Sequence, residues 1–499
     1  MLYSDHFING PHRLYVFLTM LFNTMIIHGF SPDGFNVSTI QPLVKNKRKS
    51  LNESSNYRAI ALSSPLSKIF DWVILNKNVN QFETSELQYG FKPKSSTTQC
   101  TFALMETVNY YRENNTDVYV LLLDASQAFD KVNYIKLFQL LIDRQVNPMV
   151  IRCLLYMYTN QYLNIKWNSY MSKYFSTTNG VKQGGVLSPI LFGVYIDELL
   201  CRLRKSGYGC KIGHLYFGGV GYADDVSFIA PSLYALNKMC KIALEYANEY
   251  DIKFNPLKCQ FIYYGNSDNV VLNFDDVCLH PIKKGIHLGH IIGPDVDENV
   301  ILDASYTLTR NVNFILANFK NCSYDVKFKL FNSYCTSFYG CPLWNLSCKF
   351  MSRFFIAWRK SVRRLFDLPY RTHCELLPII ADCQHIETQL LCRLSKFVSK
   401  SLSSHNDYLS LLMSIATNGS RSILSNSFNL ILAKSNLSRG MFKTHTLSQL
   451  LKYVSSINAP TARNYQTGVF ARSVVFDREC PTFLSVDNLS DILNVICTE

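Results

Sequence analysis

Two adjacent acids, Asp224 and Asp225, close the tetrapeptide Tyr222-Ala223-Asp224-Asp225 between two apolar runs. Leu215, Tyr216, Phe217 and Val220 precede them, and Val226, Phe228 and Ile229 follow. The pattern predicts strand, turn and strand with the carboxylates at the tip. Neighbouring carboxylates repel, and a fold that half-buries them calls for a cation. Standing alone, the pair would suit a solvated turn equally well, because Asp favours turns. A further acid, Asp124, ends the unbroken apolar run Val118 to Leu123. That run predicts a buried strand with a carboxylate at its exit and a helix after Asp130. Converging carboxylates of this kind can bridge two magnesium ions roughly 3.5–4 Å apart, the arrangement for phosphoryl or nucleotidyl transfer. Hard oxygen ligands suit magnesium where His or Cys would not. Taken singly, Asp124 could instead cap the following helix.

The elements that must position these acids can be read around them. Gly180 to Pro189 is a loop opening an apolar helix with Ile190, Leu191, Val194, Tyr195 and Ile196. Adjacent glycines allow close backbone approach, and Pro189 suits a first helical turn, whose N-terminus favours phosphate. Leu236, Met239, Cys240, Ala243, Leu244 and Ala247 fall at helical spacing and predict a backing helix. Lys258 is expected to open a strand with Phe261 and Tyr263 and, taken alone, reads as a solvated lysine. Phe129, read from its neighbours alone, is a core residue with Val132 and Ile135. Lys45, Lys47, Arg48 and Lys49 form a basic run, read as a loop touching phosphates in preference to a nuclear-import patch. Residues 349–366 read as a basic amphipathic helix. Phe354, Trp358, Val362 and Leu365 share one face, and Arg353, Lys360, Arg363 and Arg364 share the other, facing a duplex or solvent.

Taken in order, these blocks resemble the reverse transcriptases of non-LTR (LINE-type) retrotransposons. Asn56-Tyr57-Arg58-Ala59-Ile60-Ala61-Leu62 is similar to the family's fingers motif, and Gln88-Tyr89-Gly90-Phe91 with Ser95-Ser96-Thr97 to the next block. Leu122 to Asp130, Gly180 to Pro189 and Tyr222 to Asp225 resemble the three palm motifs. Leu257-Lys258-Cys259 and Leu288-Gly289-His290 resemble the fourth and the primer grip. The likeness covers residues 25–293 closely. Ala59 replaces the usual proline and Gln127 the common lysine, and neither is a metal ligand.

The resemblance implies an α/β (α+β) right-hand polymerase fold with fingers, palm and helical thumb, plus a mostly helical C-terminal region. Its implied divisions are an N-terminal helical segment (1–25), fingers and palm (26–293), a thumb-like region (294–375) and a helical remainder (376–499). The implied reaction is RNA-templated addition of dNTPs to a DNA primer 3′-hydroxyl. Asp124 and Asp224 would hold two Mg²⁺ ions, with Mn²⁺ as a substitute, aided by Asp225 and the Ala125 carbonyl. Arg58, Phe129, Gln183 and Gly184 would meet the nucleotide, Phe129 rejecting a 2′-hydroxyl. Lys258 would protonate departing pyrophosphate. Lys45, Lys47, Tyr222, Leu288, Gly289 and Lys360 would contact template and primer. The implied partners are an RNA template, a DNA primer or target and dNTPs, with no membrane and no obligate protein partner inferable.

Bulk properties agree with that reading. At 499 residues the chain can bury a sizeable core. A net charge of +13 suits a polyanionic partner. Sixteen cysteines without a C-x-x-C pair argue against a zinc knuckle or disulfide framework and for an intracellular protein, expected in nucleus and cytoplasm as a ribonucleoprotein. The set Cys374, Cys383 and His385 reads as core packing. Leu14 to Phe30 is apolar but broken by Thr19, Asn23, Thr24 and His28, which predicts an amphipathic helix packed on the fingers. No endonuclease or RNase H motif is recognisable, so Met1 is expected to open a truncated reading frame. Two other readings compete: a catalytically silent or co-opted remnant that binds nucleic acid, and a maturase-like RNA-folding protein.

Overall fold

The computed structural model describes residues 7–434, apart from 126–127, 268, 382 and 419–420. Within these bounds the chain separates between Leu288 and Gly289 into two compact units.

The first unit carries two sheets. Helix α1 (His12–His28) buries Phe22 and Met25, and Phe22 packs on Phe70 at 5.2 Å between ring centroids. Strands β1 (Val37–Val44) and β2 (Tyr57–Ser63) pair antiparallel, and α2 (Pro65–Lys77) follows, with Phe70 and Ile74 buried. Helix α3 (Thr97–Glu113) starts at Ser96, whose side chain accepts the Gln99 N–H in place of a missing helical partner. Next come β3 (Val118–Leu123), α4 (Tyr134–Asp143) and α5 (Pro148–Thr159). Strands β4 (Tyr162–Trp167), β5 (Tyr170–Met171) and β6 (Phe175–Ser176) extend the first sheet, whose order is β2-β1-β4-β5, with β6 also on β4. Strands β1 and β4 run parallel.

The second sheet is antiparallel. Helix α6 (Ser188–Ser206) is followed by β7 (Gly219–Tyr222), β8 (Asp225–Ala230), α7 (Leu233–Glu249) and β9 (Gln260–Tyr264). The sheet order is β9-β3-β8-β7. Strand β3 sits inside it, which explains its run of apolar residues on both faces. Helix α6 buries Leu191, Phe192, Tyr195, Ile196 and Leu199, and α7 buries Leu236, Met239, Cys240 and Ala243 at the expected helical spacing.

Two expectations change here. The helix expected after Asp130 is α4, which begins at Tyr134 behind a 3₁₀ turn over Ala128–Lys131. Its cap is the Asn133 side chain, which excludes a capping role for Asp124, and Ile135 is 81% exposed, so it shares no core with Phe129. Lys258 does not open a strand but lies in the turn before β9.

The second unit, after a short strand at His290–Ile292, is mostly helical through residue 434. Its longer helices are α8 (Asp297–Asn318), α9 (Tyr324–Tyr334), α10 (Met351–Leu365), α11 (Ile386–Leu402), α12 (Asp407–Thr417) and α13 (Ile423–Lys434). Phe354, Trp358, Val362 and Leu365 of α10 are all buried, as their spacing predicts, in a core with Val312, Ile315 and Phe331. The opposite face is less free than expected. Arg353 ion-pairs with Glu298, and Arg363 donates to the Thr372 carbonyl at 2.8 Å, while Lys360 and Arg364 remain exposed. Among the described residues no helix is long and apolar enough to cross a membrane, and the cysteines are free thiols, most of them buried or half-buried. Cys383 packs against the core of this unit.

Candidate active site

The paired acids lie on a two-residue hairpin. Tyr222 pairs with Asp225, leaving Ala223 and Asp224 as the turn, and Ala223 takes φ of +58°. That left-handed conformation costs an L-residue about 1–2 kcal/mol. The surrounding structure holds it there. Gln88, fully buried, accepts the Ala223 N–H on Oε1 at 3.0 Å, and its Nε2 lies 3.5 Å from the Ala223 carbonyl. The same Oε1 accepts the Gly90 N–H at 2.8 Å. Tyr89 N–H donates to the Gly221 carbonyl, and Gly221 N–H to the Leu87 carbonyl. Gly90 is required by space: a Cβ there would stand 2.3 Å from the Ala223 nitrogen.

The segment carrying Gln88 is itself anchored. Asp197, buried on α6, accepts Ser85 Oγ at 2.6 Å and Ser85 N–H at 2.9 Å, and pairs with Arg144 at 3.1 Å. Lys92 Nζ closes the loop onto the Thr84 and Ser85 carbonyls. Sequence reasoning marked the Gln88 block without assigning this role and passed over Asp197. The only signal was an acid inside the apolar pattern of α6.

Register brings the acids together. Val226 pairs with Leu123, so one step along the same antiparallel ladder sets Asp225 against Asp124. The Asn255 N–H donates to the Asp124 carbonyl, and Ala125 bridges Phe254. Lys258 Nζ approaches Asp124 Oδ2 to 3.4 Å. Asp124, Asp225, Lys258 and Leu288 line one open cleft with Leu123 and His287. Burial and the charges of Asp224 and Asp124 push the Asp225 carboxyl up to about 6. Asp224 is raised as well, chiefly by burial and then by Asp124, while Arg58 pulls it down. Among the described residues no three His, Cys, Asp or Glu side chains are gathered tightly enough to cage a metal. The aspartates nonetheless feel one another's charge, and their donors are all hard oxygens.

The other expected residues are spread over several elements. Arg58, on β2, acts electrostatically on Asp224. Gln183 Nε2 donates to Asp130 at 3.2 Å, and Lys45 lowers the Asp130 carboxyl against the rise due to burial. The Gln183 loop docks on β2: Ala61 N–H donates to the Gln183 carbonyl at 2.7 Å, and a Cβ on Gly184 would come 2.9 Å from the Ala61 carbonyl oxygen. Phe129 is half-buried and stacks on Phe192 at 4.2 Å, with Phe91 edge-on at 6.2 Å. Tyr222 ends β7 beside the turn. Lys47 stands on the exposed basic loop. Gly289 and Lys360 belong to the second unit. Gln127 lies outside the described residues. Sequence reading also missed Asp71, which accepts backbone N–H bonds from Val186 and Leu187. Burial raises it to about 6 although the Lys182 charge opposes. It fastens the loop that carries Gln183.

Residues 44–314, more than half of the chain, match the reverse transcriptase (RNA-dependent DNA polymerase) family. The chain belongs to that family. Its relatives include RNA-directed DNA polymerases and Pol polyproteins of transposable elements. The RNA-directed DNA polymerase from mobile element jockey of Drosophila melanogaster is 21% identical over 72% of this chain and 41% of its own length. The Pol polyprotein of the type-2 retrotransposable element R2DM from the same fly is 24% identical over 41% of this chain and 19% of its own. The fly X-element polymerase is 27% identical over 38% and 21%. The chain therefore spans less than half the length of these relatives. A solved Candida tropicalis telomerase with a fragment of telomeric RNA is similar at a TM-score of 0.39 and 12% identity, over 90% of this chain and 68% of its own. So low a score adds nothing to the family match. The right-hand polymerase fold follows from that match together with the acid-bearing antiparallel sheet.

Proposed function

We propose that this reverse transcriptase chain extends a primer 3′-hydroxyl with dNTPs on an RNA template, in the copying of a retrotransposable element. The observation that carries the reading is the convergence of Asp124, Asp224 and Asp225 at one end of the second sheet, with the latter two carboxyls held above their ordinary range. Such mutual repulsion is what a divalent cation relieves. Asp124, Asp224 and Asp225, with the Ala125 carbonyl, would hold two magnesium ions, or manganese in their place. When bound, these supply charge that activates the 3′-hydroxyl and neutralises the triphosphate.

The chain's own residues do the rest. Arg58 is the fork for triphosphate oxygens, since it already lies within electrostatic reach of Asp224. Phe129, fixed by stacking on Phe192, presents a ring edge that leaves no room for a 2′-hydroxyl. Gln183 and Gly184, pinned to β2, shape the pocket for the pairing bases. Lys258 balances Asp124 and donates a proton to the departing pyrophosphate. Tyr222, Leu288 and Gly289 guide the primer end, and Lys45, Lys47 and Lys360 meet phosphates.

The test is single-nucleotide extension of a DNA primer on an RNA template with the purified chain. Extension that needs magnesium and stops on chelation is expected. Extension that is indifferent to divalent ions would overturn the reading.

A further inference from the structure

One group of exposed aromatic side chains in the first unit lies where no catalytic role uses it. Strand β4 ends in Trp167, 49% exposed, and its cross-strand partner on β5 is Tyr170, 77% exposed. Direct partners project to the same side of a sheet. Tyr57 meets Trp167 edge-on at 5.3 Å, and its hydroxyl is tied to the Leu51 carbonyl, so the indole has a fixed aromatic neighbour. A tryptophan and a tyrosine left in water forgo a large apolar burial.

The surroundings say what would cover them. Strands β1 and β4 are parallel and β2 is antiparallel to β1, so Lys45 after β1, Tyr57 and Arg58 at the start of β2, and Trp167 all share one end of the sheet. The loop, the start of β2 and the hairpin there carry Lys45, Lys47, Arg48, Lys49, Arg58, Lys166 and Lys173 against the single carboxylate Glu53. From this end Arg58 acts on Asp224 and Lys45 on Asp130.

We infer that the β4–β5 hairpin is a stacking platform for an unpaired nucleic-acid strand, the stretch of RNA template not yet copied. Bases lie on Trp167 and Tyr170, and the flanking cations take the phosphates. Base–aromatic stacking tolerates any sequence, as a template site must. A docked protein would not require seven cations and one carboxylate around two rings. The inference rests on the polymerase reading for the identity of the strand, but not for the binding itself.

The experiment measures fluorescence anisotropy of a labelled uridine oligomer and of a blunt RNA–DNA duplex with the full chain. It compares wild type, Trp167→Ala plus Tyr170→Ala, and Trp167→Phe plus Tyr170→Phe. The alanine pair should weaken oligomer binding about tenfold or more, and the phenylalanine pair should stay within about twofold of wild type. Duplex binding should be unchanged in both. Equal oligomer affinity in all three proteins would overturn the platform. So would equal loss on oligomer and duplex, the mark of a general basic surface or of misfolding. Primer extension is read in parallel. Ring-dependent binding without extension would sink the polymerase reading and leave the platform, whereas extension with ring-independent binding would do the reverse.

Discussion

Asp225 is the residue at which electrostatics and catalysis pull hardest against each other. Its carboxyl is raised to about 6 from an ordinary 3.8, so the folded state binds its proton more tightly than the unfolded state. The sign follows from linkage: stability from this group is lost as pH rises between those two values, and the ionised site is a burden at neutral pH. Asp225→Asn should therefore stabilise the metal-free protein near neutral pH by about 1 kcal/mol, allowing for solvent screening. The gain should vanish toward pH 4 and be offset by magnesium in wild type, which thermal melts across pH would show. Phe129 makes a separate claim. With its ring replaced in Phe129→Val, ribonucleotide use relative to deoxyribonucleotide should rise on the order of 10- to 100-fold. Competitive incorporation measures the ratio, and an unchanged ratio would return Phe129 to a purely structural role beside Phe192.

At the scale of elements, the account rests on how the Ala223–Asp224 turn is held. Gln88→Ala would leave the buried Ala223 N–H without its acceptor, at a cost of about 1–3 kcal/mol. The maximal rate of incorporation should fall about tenfold or more while affinity for primer–template stays level, because Gln88 acts only through the turn. Steady-state kinetics beside a binding titration separate the two. This clamp was not legible in the sequence. Gln88 and Ala223 are 135 positions apart, and only the folded pairing of Tyr89 with Gly221 brings them together. What periodicity controls was readable. The apolar run 118–123 coincides with β3, the acids sit on their hairpin, and the 236–247 pattern lies inside α7. Local breaks were not: nothing in Ala125 to Asn133 announced a 3₁₀ turn before α4. The basic face of α10 misled for a related reason, since Arg353 finds Glu298 on α8, a partner that helical spacing cannot reveal.

Over the whole molecule, a net charge of +13 makes nucleic-acid affinity depend on salt. If about four phosphates are neutralised, binding of a blunt duplex should weaken on the order of a hundredfold between about 50 and 200 mM salt. Titration at several ionic strengths gives the slope, and a flat response would deny the cationic surface its part. The central claim is that three aspartates drawn from distant parts of the chain perform one nucleotidyl transfer. The most direct measurement is magnesium-dependent dNTP incorporation on a primed RNA template by wild type and by Asp224→Ala plus Asp225→Ala, with primer–template binding followed in both. The account predicts incorporation by wild type and its loss in the variant at unchanged binding. Equal incorporation by both, or none by a folded wild type that binds the primed template, would contradict it.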